Sequence, residues 1–141
     1  MQKVIIDTNV IVSALIQRNY PYHIIYDLFL GDRISLHVSS QLIKEYYDVL
    51  TRPKFLRFQD FSAKAKNLLG IIEMKAIYHD PVIALDIISD KDDNKLLELA
   101  DACMADFIIT GNTTDFTFSQ YKQTKIVTPK EYWELYKPSL Y

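Results

Sequence analysis

The chain is poor in the residues that staple or punctuate a fold. A single cysteine, Cys103, stands among 141 residues, which excludes an internal disulfide framework and a zinc site built from several cysteines. A cytoplasmic location is therefore expected. Only three glycines are present, with no repeat and no Gly/Ser-rich linker, so one domain over residues 1–141 is expected. No apolar run approaches the roughly 18 residues that span a bilayer. The apolar stretch after Lys3 is broken by Asp7 and Asn9, so neither a membrane span nor a signal peptide is expected. A strong charge of one sign is also lacking. The net charge of −2 does not draw in nucleic acid, and binding a polyanion needs a local basic patch or bridging metal ions. The three histidines, His23, His37 and His79, show no HxxxH-type spacing and read as structural or surface residues.

What the chain has in quantity is aromatic and aliphatic. Ten tyrosines and seven phenylalanines point to core packing and a self-association surface ahead of base stacking. Short apolar runs alternate with segments of helical period. Residues 3–6 read as a strand, roughly 9–17 and 21–30 as helices with Pro21 opening the second and Gly31 ending it, and 34–39 as a second strand. Residues 39–50 form a well-marked helix that Ser39 or Ser40 can cap. "RPKF" (52–55) breaks it, a further helix follows around 61–73, and 74–79 is a weaker third strand. Residues 93–104 read as a helix, 106–110 as a buried strand and 125–127 as a short fifth strand. Thr128, Pro129 and Glu131 then spell a capping box for the last helix. Such alternation predicts a parallel sheet covered on both faces, with ligands bound beyond the carboxyl ends of its strands.

Acids stand at those ends. Asp7 follows the first strand, and "TGNTTDF" after the fourth brings Thr110, Asn112 and Asp115 there. At about 100° per residue, Glu45 flanks the apolar stripe Leu42, Ile43, Tyr46, Val49 and Leu50, while Lys44 and Asp48 point away. By the same geometry Asp93 falls inside the stripe Leu96, Leu97, Leu99, Ala100 and Cys103, in a first turn that favours negative charge. Each acid taken alone has a plain structural reading, as a turn residue, a helix cap or a surface side chain. Taken together, the four can converge on one edge of one sheet. Carboxylates so gathered repel unless a cation neutralises them. Oxygen-only donors suit Mg²⁺ or Mn²⁺, and the matching chemistry is attack of water on a phosphodiester.

The stretches "VIIDTNVIVSAL" (4–15), "SSQLIKEYYDVLTRPKF" (39–55), "DKDDNKLLELADACMADFIITGNTTDF" (90–116) and "IVTPKEYWE" (126–134) together resemble the PIN-domain family, in particular its VapC-like toxin components of toxin–antitoxin systems. The resemblance implies a three-layer α/β/α sandwich around a parallel sheet of about five strands. It implies a metal-dependent endoribonuclease acting on RNA, an antitoxin partner and homodimers or higher homo-oligomers. The implied acids are Asp7, Glu45, Asp93 and Asp115, with Asp7 and Asp93 holding Mg²⁺ or Mn²⁺ and Thr8, Asn9, Thr110 and Asn112 in support. Many relatives carry Asp where Asn112 stands, which keeps a catalytically weak PIN scaffold that binds RNA or protein as the alternative. A haloacid-dehalogenase-like phosphatase fits poorly, because its second Asp is replaced by Asn9. "LTRPKFLRF" (50–58) offers Arg52, Lys54 and Arg57 between phenylalanines. It reads either as a phosphate-and-stacking patch or as a solvated amphipathic turn.

Overall fold

A run of apolar residues needs cover on both faces, and Val4, Ile5 and Ile6 receive it: all three are fully buried in the central strand of the sheet. In the computed structural model described here, residues 1–82, 84, 91–111, 116 and 118–139 are described, without the side chains of 91–93. The elements in chain order are β1 (Lys3–Ile6), α1 (Thr8–Ile16), α2 (Tyr20–His23), β2 (Ser35–Val38), α3 (Ser40–Leu50), α4 (Phe61–Lys75), β3 (Ile77–Tyr78), α5 (Lys91–Cys103), β4 (Phe107–Ile109), β5 (Gln120–Tyr121), β6 (Thr124–Val127) and α6 (Pro129–Glu131). Wider π-type turns continue α2 over Ile24–Phe29 and α6 over Tyr132–Tyr136. A 3₁₀ turn covers Pro53–Arg57.

The strands lie in the order β3-β2-β1-β4-β6-β5. Every pair is parallel except β5 with β6. From β1 the chain steps outward to β2 and β3, then returns to pair β4 on the other side of β1. Right-handed crossovers therefore place α1, α3 and α4 on one face and α5 on the other, giving the expected three layers. α1 packs on both α3 and α4, while α5 packs on β1. The stripe predicted for α5 is buried throughout, from Leu96 to Cys103. In α3 Leu42, Tyr46 and Leu50 are buried, with Ile43 and Val49 half-buried against them. Each full aliphatic burial contributes roughly 1.5–3 kcal/mol.

Local signals explain where elements begin. Ser39 caps α3, its hydroxyl accepting from the Leu42 amide at 3.1 Å. Thr128 and Glu131 form the reciprocal capping box at α6. Three expectations need correction. The sheet has six strands, because an antiparallel hairpin adds β5 at one edge. The strand expected over 74–79 shortens to Ile77–Tyr78, since α4 runs on to Lys75. The helix expected over 21–30 changes pitch after His23. Among the described residues no helix is long and apolar enough to cross a membrane.

Candidate active site

The strand order reverses between β1 and β4, and the carboxyl ends of those two strands frame the crevice where open α/β sheets bind ligands. Asp7 leaves β1 there and Thr110 leaves β4. Two backbone bonds extend the ladders by one residue: the Asp7 amide donates to the Ile109 carbonyl at 3.0 Å, and the Thr110 amide to the Val127 carbonyl at 2.9 Å. The side chains then meet, with the Thr110 hydroxyl donating to Asp7 Oδ2 at 2.8 Å. Asp7 is 9% exposed and Thr110 fully buried. Asp7 occupies the N-cap position of α1, yet its carboxylate makes no cap hydrogen bond. The carboxylate is therefore directed to Thr110 and not to the open amides of the first turn of α1.

The next residue reaches a second acid. Thr8 Oγ1 donates to Glu45 Oε2, tying the first turn of α1 to the middle of α3. α3 is itself anchored to the end of β1, because the buried Tyr46 hydroxyl donates to the Ile6 carbonyl. Burial pushes the Tyr46 phenol well above its ordinary range, and the charges of Asp7 and Glu45 push it further. Tyr46 therefore stays a donor, and it positions its neighbour Glu45 against β1. The sequence reading placed Tyr46 in the core but did not foresee this contact. The signal was present in "KEYY", where a large polar-tipped aromatic adjoins the acid.

Glu45 opens onto a groove of about 460 Å³ lined by Gln41, Lys44, Arg52 and Lys95 as well as Asp48. A smaller cleft joins Glu45 to Ser39, Leu42, Lys95 and Leu96, so the early turns of α5 stand beside Glu45. Asp93 lies in the first turn of α5, and its side chain is outside the described residues. Asn112 and Asp115 also lie outside them. Asn9 is exposed on the first turn of α1. Asn94, one residue after Asp93, is 3% exposed, a buried polar position the sequence reading did not single out. Of the three candidate cations in 50–58, Arg52 lines the groove and pairs with Asp48 at 3.2 Å. Lys54 and Arg57 sit over the rings of Phe55 and Phe58 at 5.2 and 4.9 Å. Lys44, which sequence patterning pointed away from the apolar stripe, and Lys95, which it did not single out, also line the groove.

The described donors are carboxylate and hydroxyl oxygens: Asp7, Glu45, Thr8 and Thr110. That set fits a hard cation such as Mg²⁺ or Mn²⁺ and lacks any soft ligand. The PIN-domain family profile matches residues 3–114. The chain belongs to the PIN-domain family. PIN domains are generally nucleases and typically use divalent metals. The matched span of this PIN domain contains Asp7, Glu45 and Asp93 and stops one residue short of Asp115. The chain is 29% identical over 140 residues to the uncharacterized protein MJ1680 of Methanocaldococcus jannaschii, covering 94% of this chain and 90% of that protein. Its fold is similar to a chain of VapBC2 from Rickettsia felis, solved bound to a DNA fragment from their promoter. The TM-score is 0.57 at 17% identity, over 89% of this PIN domain and 97% of that chain.

Proposed function

We propose that this PIN domain is a Mg²⁺- or Mn²⁺-dependent endoribonuclease, the toxin of a toxin–antitoxin pair. The observation that carries the reading is the meeting of Asp7 with Thr110 at the β1/β4 switch point, with Glu45 held beside it through Thr8. Asp7 and Asp93 would hold the ion, with Glu45 and Asp115 as the further acids of the proposed set. When bound, such an ion supplies charge stabilisation for the phosphodiester and an acidified water. The chain's own residues do the rest. Thr110 fixes the Asp7 rotamer, and Thr8 holds the Glu45 carboxylate, the group that orients the attacking water and accepts its proton. Lys44, Arg52 and Lys95 balance the phosphates of a strand lying in the groove. No serine–histidine or cysteine–histidine pair accompanies these acids among the described residues, so cleavage proceeds in line without a covalent enzyme intermediate.

The likeness to the VapBC2 chain supports an antitoxin partner as the cellular setting. The chemical test is incubation of the purified protein with a fluorescent single-stranded RNA, with Mn²⁺ or with chelator. Cleavage is expected with metal and not with chelator, and Asp7→Asn or Asp93→Asn should lower it by at least roughly 100-fold. Cleavage that survives both chelator and these substitutions would overturn the reading. Growth arrest on induced expression, relieved by a co-expressed partner, tests the toxin role separately.

A further inference from the structure

A second group of metal-ligating side chains lies on the α5 face of the sheet, away from the acids. His37 is in β2, where its register against β3 and β1 turns it to the same face as Lys3 and Ser35. His79 follows β3, its amide bonded to the Val38 carbonyl at 2.9 Å. Cys103 closes α5. The ligating atoms of these three residues lie within 4.8 Å of one another. His37 is 4% and Cys103 5% exposed, and His79 is half-buried. Cys103 stands ten residues after Asp93, roughly 15 Å along the helix at 1.5 Å per residue, so the two clusters are separate.

The geometry points to a site for a Zn²⁺-class ion held by His37 Nδ1, His79 Nε2 and Cys103 Sγ, with a fourth position left to water. Imidazole and thiolate are the donors that a borderline-soft, tetrahedral ion selects, in contrast to the oxygen set around Asp7. His37 Nδ1 and His79 Nε2 face each other at 2.8 Å, so without an ion two lone pairs share one proton. The facing nitrogens then satisfy each other through one hydrogen bond only. An ion between them uses both lone pairs. The far nitrogen of His37 is already engaged, Nε2 meeting the Ser35 hydroxyl at 2.9 Å. That contact orients the ring as an outer partner orients a metal-bound histidine.

Charge in the surroundings is compatible with the ion. Burial first, then the neighbouring ring and Lys3, hold His37 at about 4, and burial and Lys3 also lower His79. Both imidazoles are therefore neutral ligands at neutral pH. Burial raises the Cys103 thiol to about 11, so binding releases its proton to solvent and leaves thiolate on the ion. Lys3 and Asp106 act on Cys103 with opposite signs, and the Lys3 ammonium is occupied by the Cys103 carbonyl at 3.3 Å. An ion here ties the last turn of α5 to β2 and to the segment after β3. It would thereby fix the helix whose other end carries Asp93.

Titration of the metal-free protein with Co²⁺, a coloured substitute for Zn²⁺, tests the site by spectrum and not by activity. A thiolate-to-cobalt charge-transfer band is expected to saturate at one ion per chain and to disappear on adding Zn²⁺. It should vanish in Cys103→Ala, weaken in His79→Gln and persist in Asp7→Asn. Zn²⁺ at about 100-fold over its Kd should raise Tm by about 5–10 °C, a shift that Cys103→Ala loses. Absence of the band in the unaltered protein, or a band unchanged in Cys103→Ala, overturns the proposal. Should Cys103→Ala not fold, His79→Gln at its half-buried position decides in the same way.

Discussion

At the scale of single residues, the acids were more legible than the groups that hold them. Asp7 and Glu45 could be singled out because a carboxylate at a strand end or beside an apolar stripe is costly without a purpose. Their partners were harder to read. Thr110 and Tyr46 meet Asp7 and Ile6 only through the β1–β4 pairing and the docking of α3, contacts between residues 103 and 40 positions apart. The His37–His79–Cys103 group escaped notice for the same reason, since spacing rules detect ligands only within one element. Thr110→Val tests the role of the threonine as a positioning residue. It keeps the shape and the burial but removes the donor to Asp7, so kcat should fall about 10–100-fold. KM for RNA should change little, because the hydroxyl faces the carboxylate and not the groove. Thr110→Ser, which restores the hydroxyl, should recover most of the loss. A fall in KM-dependent binding alone would contradict this role.

At the scale of elements, helices and central strands followed from periodicity, and the misreadings cluster where the backbone takes a conformation the local residues do not advertise. The β5–β6 hairpin turns through Lys122 at a φ of 52°, a left-handed position where glycine or asparagine would have signalled a turn. α5 ends in the same way. The Ala105 amide donates to the Ala100 carbonyl at 3.2 Å, the longer of the two closing bonds of a Schellman motif, and Met104 takes the left-handed position at a φ of 54°. A side chain there is strained by roughly 1 kcal/mol or more. Met104 is 62% exposed, so little packing offsets the strain. Met104→Gly is therefore expected to stabilise the protein by about 0.5–1 kcal/mol, the relief of strain being partly cancelled by the looser unfolded chain. Urea unfolding midpoints at constant m-value provide the measurement. A destabilised variant would show that the exposed methionine makes a contact this conformation does not require.

At the scale of the whole molecule, two opposing facts about charge meet in the groove. The chain is net negative, so it repels RNA at long range, and yet Lys44, Arg52 and Lys95 gather beside Glu45. Binding that depends on this patch should weaken steeply with salt. Replacing Lys44 and Lys95 together by alanine should lower the salt slope of RNA affinity by about 1.4, at about 0.7 per phosphate contact on a single strand. Fluorescence anisotropy across a salt series, with Asp7→Asn to prevent cleavage, measures it.

The stability of the whole molecule also carries a pH signature that does not depend on either proposed metal site. Tyr132 is fully buried, edge-on to Phe107 at 5.1 Å, and its hydroxyl donates to Gln2. It joins the last turn of the chain to its first residues across the sheet. Burial, with a smaller push from Asp106, raises this phenol well above the ordinary tyrosine range. A raised folded-state value means that, above about pH 10, the unfolded chain loses the Tyr132 proton while the folded chain keeps it. The stabilisation is complete below that pH and falls above it, by about 1.4 kcal/mol per pH unit for one such group. Tyr132→Phe removes the proton and hence this slope. The variant should be less stable than the parent at neutral pH, having lost the bond to Gln2. The gap should close as pH rises from about 10 to 11. Denaturation midpoints for both proteins over that interval follow the gap directly. A gap that stays constant would mean that Tyr132 ionises as readily in the folded protein as in water, and that the joint between the chain ends is open to solvent.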